Sequence, residues 1–140
     1  MTSWLLDAGP LVAALNRRDP HHARCAAALA AFSGTLVTTG AVVTEAMHFL
    51  GGVPEGAETL AGFLDDAQAD IRDCFAPLQL HAASRLMKKY ADTPMDFADA
   101  TLVHLAKRER IGTIFTVDMD DFETYRIDGR RRFRIVPGRS

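Results

Sequence analysis

The chain holds only two cysteines in 140 residues, Cys25 and Cys74. They form no CxxC pair, and no Cys/His cluster has zinc-site spacing, so a zinc-thiolate centre and a disulfide-dense scaffold are both excluded. Two isolated thiols fit a reducing, cytoplasmic setting, with a single Cys25–Cys74 bridge left open. No run of about 18 uncharged apolar residues exists, so no membrane span is expected. Met1 to Asp7 carries no basic residue and no long apolar stretch, so no signal peptide is expected. Gly-rich phosphate loops of the GxGxxG or GxxxxGK[ST] type are missing, as is any serine or cysteine nucleophile signature. The five histidines carry no metal-ligand spacing. His21 and His22 open a helix, His48 reads as partly buried packing three residues after Glu45, and His81 and His104 stand without partners.

The bulk composition is ordinary. A hydrophobic fraction of 48% and a charged fraction of 24% suit one folded domain spanning residues 1–140, large enough for its own core. The net charge of −2 hides an asymmetry. From Arg126 to Ser140 six arginines face one acid, Asp128. That tail is +5, which leaves −7 for the residues before it. A chain that binds cations at one place and phosphate at another has this distribution, and so does a chain ending in a solvated basic strand.

The hydrophobic pattern alternates short apolar runs with helical periods. Strands are expected at Trp4–Leu6, Thr35–Thr38, Ile71–Ala76, Thr113–Val117 and about Arg132–Val136. A turn at Gly9-Pro10 leads into a helix with Pro10 in its first turn, and further helices are expected over His21–Phe32, Ala41–Leu50, Glu55–Ala69, Leu78–Tyr90 and Asp96–Arg110. Strand–helix alternation implies an α/β fold with a mostly parallel central sheet flanked by helices.

Four acids sit at the ends of these apolar segments: Asp7, Glu45, Asp99 and Asp118. A carboxylate in such a place must be paired or bind a metal, because burying it alone is costly. No Lys or Arg lies close in sequence to pair with any of them. Asp7 and Asp118 end the first and fourth expected strands, where open α/β sheets bind ligands. Glu45 lies one turn into the helix after the second strand, and Asp99 lies in the first turn of the helix before the fourth. If the fold gathers them, their repulsion calls for a cation, and an all-oxygen donor set suits Mg²⁺ or Mn²⁺. Asp96 reads mainly as the N-cap of the helix that carries Asp99. Asp121 is a further partner acting through water, and Asp120 reads as solvated. Thr116, two residues before Asp118, lies on the same strand face and is placed to orient a ligand or water.

The segments Leu5-Leu6-Asp7-Ala8-Gly9-Pro10, Val43-Thr44-Glu45, Met95-Asp96-Phe97-Ala98-Asp99-Ala100 and Phe115-Thr116-Val117-Asp118-Met119-Asp120-Asp121-Phe122 resemble, in order and spacing, the four motifs of PIN-domain nucleases. No one of them is specific, but the ordered set is. Chain length and the closing Arg132-Phe133-Arg134-Ile135-Val136-Pro137 resemble the bacterial VapC-type toxins of type II toxin–antitoxin systems. The resemblance implies a Mg²⁺- or Mn²⁺-dependent ribonuclease with Asp7, Glu45, Asp99 and Asp118 as its acids. It also implies Asp121 as a less regular one, Thr116 as a frequent hydroxyl, and Asp96 at a Ser/Asp position. It further implies a homodimer and a cognate antitoxin that inserts a segment, often with an Arg, into the acidic cleft. Arg17, Arg18, Lys88, Lys89 and the arginine tail are the candidates for gripping RNA phosphate. Two alternatives share the fold: an RNA-processing nuclease without a toxin role, and a non-catalytic scaffold that binds RNA or protein. A receiver-type phosphoacceptor domain is disfavoured, since Asp7 has no adjacent acid and no Lys follows Phe115.

Overall fold

A computed structural model describes residues 2–138 of the chain. Five parallel strands form its central sheet in the order β3-β2-β1-β4-β7. The central strand is β1 (Ser3–Leu6), whose last two residues, Leu5 and Leu6, are fully buried. It pairs with β2 (Thr35–Thr39) on one side and β4 (Thr113–Phe115) on the other. The edges are β3 (Asp70–Arg72) beside β2 and β7 (Arg134–Val136) beside β4. Both neighbours of β1 thus run parallel to it, one reached early in the chain and one late. The strand order reverses at β1, and the crevice beyond the carboxyl ends of β1 and β4 is the place where such sheets bind ligands.

The helices follow from local chemistry. Asp7 caps α1 (Ala8–Leu15) by accepting from the Ala8 amide, and Pro10 sits in the first turn, where no intrahelical donor is needed. A second helix, α2 (His22–Ala31), packs on α1. Thr39 caps α3 (Gly40–Leu50) through the Val42 amide. Next come α4 (Gly56–Asp66) and α5 (Pro77–Lys89), the latter with its proline at the first helical position. Asp96 caps α6 (Phe97–Glu109) by accepting from the Asp99 amide, as its position suggests. Eight of the thirteen residues of α6 are buried, so this helix runs through the interior rather than over it.

Several elements differ from the sequence expectation. The third strand stops at Arg72 instead of Ala76, since the residues beyond it leave the ladder. The strand expected to reach Val117 ends at Phe115, although the Thr116 amide still donates to the Val136 carbonyl. A short helix, α7 (Met119–Thr124), and an antiparallel hairpin of β5 (Arg126–Ile127) and β6 (Arg131–Arg132) fill the stretch that the hydrophobic pattern leaves blank. The expected last strand is therefore split between β6 and β7. His48 is exposed and lies edge-on to Phe49 instead of packing inside. Arg139, the last arginine of the basic tail, lies outside the described residues.

Candidate functional site

A cavity of about 320 Å³ opens at the switch point of the sheet. Seven of its lining residues are acids: Asp7, Asp19, Glu45, Asp96, Asp99, Asp118 and Asp121. Among the described residues no Lys or Arg lines it. Asp7 follows the end of β1, Glu45 comes from the second turn of α3, and Asp99 from the first turn of α6. Asp118 and Asp121 come from the start of α7. Asp99, Asp118 and Asp121 offer carboxylate oxygens that all lie within 4.8 Å of one another.

The floor of the cavity is held by hydrogen bonds. Asp7 is 6% exposed, and its two oxygens accept from the Ala8 amide at 2.8 Å and from the Thr116 hydroxyl at 2.7 Å. The same Thr116 oxygen accepts from the Asp118 amide at 3.0 Å. One hydroxyl thereby ties Asp7, at the end of β1, to Asp118, just beyond β4. Gly9 assists from α1: a Cβ there would come within 2.6 Å of Val117 Cγ2, so a larger residue would force the Val117 side chain to shift. Asp99 is 8% exposed and accepts from the Tyr125 phenol at 3.1 Å. Tyr125 itself is fully buried between Tyr90 and Phe122, at the foot of α7.

Burial and crowding shift the acids in one direction. Desolvation, then the charges of Asp7 and Asp96, push the Asp99 carboxyl up to about 8, against a counter-pull from the Tyr125 hydrogen bond. Burial also raises Asp7, opposed by its bonds from Thr116 and Ala8. Glu45 is raised by burial and by the charges of Asp96 and Asp7. Asp118 rises to about 6 through burial and its hydrogen-bonded, charged neighbour Asp121. A group of acids in this state accepts either protons or a cation, and near neutral pH a divalent cation satisfies more of them at once.

The family model of the PIN domain matches residues 4–128. The chain belongs to the PIN-domain family. It is similar to Ribonuclease VapC26 of Mycobacterium tuberculosis (strain ATCC 25618 / H37Rv), at 29% identity over 136 residues covering 95% of this chain and 99% of that one. Its fold is similar to the crystal structure of M. tuberculosis VapC20, described as a sarcin-ricin loop cleaving toxin. The TM-score is 0.72 at 18% identity, over 83% of this chain and 92% of that one. It is also similar in fold to VapBC2 from Rickettsia felis, bound to a DNA fragment from their promoter. Here the TM-score is 0.64 at 16% identity, over 96% and 97% of the two chains.

In this PIN domain all four expected acids, with Asp96 and Asp121, reach one cavity. Thr116 is fully buried beneath it, donating to Asp7 and accepting from the Asp118 amide. The expected parallel display of Thr116 and Asp118 on one strand face is replaced by a turn in which the hydroxyl caps the Asp118 amide. Two further residues carry no sequence signal. Asp19 enters the cavity wall from the turn after α1, where the sequence shows only a helix-breaking Asp-Pro. Tyr125 lies 26 positions from its partner Asp99, and no local pattern marks it. Among the described residues no arginine of the tail lines this cavity.

Outer partners of this kind hold a metal ligand in orientation, and their loss typically costs about 10–100-fold in metal affinity or activity. Tyr125→Phe and Thr116→Val are each expected to weaken Mn²⁺ binding by a factor in that range. Calorimetric titration of the purified variants checks this. Affinity unchanged in both means that the two hydroxyls serve only packing.

Proposed function

We propose that this PIN domain is a divalent-cation-dependent ribonuclease, hydrolysing RNA phosphodiester bonds at the carboxylate cavity, and that it is the toxin of a toxin–antitoxin pair. The observation that carries this reading is the convergence of seven acids on one cavity with no lining Lys or Arg among the described residues. The all-oxygen donor set suits Mg²⁺ and Mn²⁺ alike. Asp7, Glu45, Asp99 and Asp118 are the proposed ligands, with Asp121 alongside. Bound there, the cation supplies Lewis-acid stabilisation of charge on the phosphate and acidifies the attacking water.

The protein's own share is placement. Thr116 and the Ala8 amide fix both oxygens of Asp7, so its orientation is set before any ligand arrives. Tyr125 fixes one oxygen of Asp99 and leaves the other for the cavity. Asp96 holds the first turn of α6 in place and adds charge at the mouth. A cavity preorganised in this way needs little rearrangement as charge builds up on the phosphate.

The names of the relatives support the nuclease and toxin roles, and the VapBC2 neighbour supports an antitoxin as partner. An antitoxin segment bearing a cation would fit the same cavity in place of a metal. A homodimer belongs to this reading, and the exposed Phe75 and Leu78 offer apolar surface for it. So does a cytoplasmic site of action: Cys25 and Cys74 are buried free thiols, and no helix among the described residues is long and apolar enough to cross a membrane.

The test is induced expression in a bacterium. Wild type is expected to arrest growth and release discrete fragments of a stable RNA, whereas Asp7→Asn does neither. Equal toxicity of Asp7→Asn sinks the reading. Normal growth with a purified protein that still cuts RNA keeps the nuclease and removes the toxin role.

A further inference from the structure

A nuclease whose catalytic cavity is lined by acids repels the backbone of its own substrate, so cations elsewhere must hold the RNA. A concavity of about 520 Å³ supplies them. It lies between α5, α6 and the β5–β6 hairpin. Arg85 and Lys89 project from one face of α5, three and seven residues after Ala82 on the same wall. Lys107 and Arg108 project from α6, one turn beyond His104, and Arg126 projects from the hairpin. Among the described residues the single carboxylate on this wall is Asp128, which is paired with Arg131 at 3.4 Å.

The attraction of cations to helix C-termini accounts for Lys89, Lys107 and Arg108, which stand in last turns. It does not account for Arg85 in the middle of α5, nor for Arg126 on a separate element. Arg126 is held in place by three backbone carbonyls, those of Glu123, Thr124 and Tyr125. The crowding is also felt by His104. Burial first, then the charges of Arg108, Lys107 and Arg85, depress its pKa. A bound anion would relieve the repulsion among these cations.

We propose that this cleft is a second RNA site that grips the phosphate backbone of the substrate away from the scissile bond. The proposal rests on the ribonuclease reading. Helical geometry places Lys107 about 12 Å along α6 from Asp99 and about a quarter of a turn around it. The cations in the last turn of α6 therefore lie within a few nucleotides' length of the carboxylate cavity. The cleft explains how a target larger than a dinucleotide can be held by a protein whose cutting site is repulsive to it.

The experiment uses the full chain with Asp99→Asn, which binds without cutting, and a fluorescent structured RNA of about thirty nucleotides. Arg85→Gln, Lys107→Gln and Arg108→Gln are combined on that background, and binding is followed by anisotropy across a salt series in Mg²⁺ buffer. Each phosphate left without its cation lowers the log–log salt slope by about 0.7 for a single strand, so the slope should fall by about 2. The dissociation constant should rise about tenfold or more at low salt. The charge-preserving set Arg85→Lys, Lys107→Arg and Arg108→Lys should restore both, and unchanged melting temperatures show that all variants fold. A triple variant with the parent's affinity and slope overturns the proposal and leaves the nuclease untouched. Micromolar binding of ATP that disappears in the triple variant, with RNA binding unaltered, marks a nucleotide site and also overturns it. Failure of the Asp99→Asn parent to bind any RNA removes the nuclease reading itself.

Discussion

Asp99→Asn is expected to slow RNA cleavage by on the order of a thousandfold and to leave the protein folded. Asp99 is the acid most shaped by its surroundings: buried, bonded to Tyr125, and within reach of Asp118 and Asp121. Asparagine keeps the shape and can still accept from the Tyr125 phenol, but it removes a full negative charge from the cation site. A deficit of about 4 kcal/mol in transition-state stabilisation corresponds to that thousandfold factor. The amide also removes an acid that burial has pushed up to about 8. Folding should therefore be unharmed. Single-turnover cleavage by wild type and variant, alongside thermal melts, checks both halves. A variant that cuts within about tenfold of wild type would move the chemistry away from this cavity.

In metal-free buffer the wild-type protein should lose stability as the pH rises from about 4 to about 8. The Asp99 carboxyl titrates at about 8 in the fold, against an ordinary value of 3.8. Between those values the folded state keeps a proton that the unfolded chain has released. Stability then falls with pH, at most by about 1.4 kcal/mol per unit for this one group. The contribution is complete below the lower value and gone above the upper one. Asp118, raised to about 6, acts in the same direction over a narrower window. A divalent cation reverses the trend, because it binds the ionised carboxylates and its stabilisation grows with pH. At a hundredfold excess over its dissociation constant it adds about 2.7 kcal/mol. Melting temperatures from pH 5 to 8.5, with EDTA and with Mn²⁺, read this directly. Asp99→Asn should flatten the EDTA curve. A wild-type curve that rises with pH in EDTA would mean that the acids are already paired within the fold.

The cavity is readable from the chain because its acids sit where the hydrophobic pattern breaks. Trp4-Leu5-Leu6 must be a strand, so Asp7 must stand at its end. The long apolar period of α6 fixes where Asp96 and Asp99 begin it. The remaining parts have no periodicity to announce them. The helix after Asp118 is six residues long, too short for an amphipathic repeat, and the acids around it resemble a turn. Asp19 joins the cavity wall, and Tyr125 reaches Asp99 from behind it, only through tertiary packing that nothing in their neighbours announces. The basic cleft is the same kind of case. Arg85 and Lys89 look like one solvated helix face, and Lys107 and Arg108 like another. Only the packing of α5 on α6 shows that the two faces share a concavity, which no spacing rule along the chain could reveal. The arginine tail is the opposite case. Its charge is plain in the sequence, yet among its described residues only Arg126 enters the cleft, and that residue spends part of its guanidinium on the carbonyls of its own turn.

The measurement to make first is cleavage of a mixed structured-RNA pool by purified, partner-free protein that has been stripped with EDTA and then returned to Mg²⁺ or Mn²⁺. The expected result is no cutting in EDTA, discrete fragments when either ion is restored, and none from Asp99→Asn under the same conditions. Undiminished cutting in EDTA, or no cutting by folded protein with either ion, is incompatible with a cation-dependent nuclease built on Asp7, Glu45, Asp99 and Asp118.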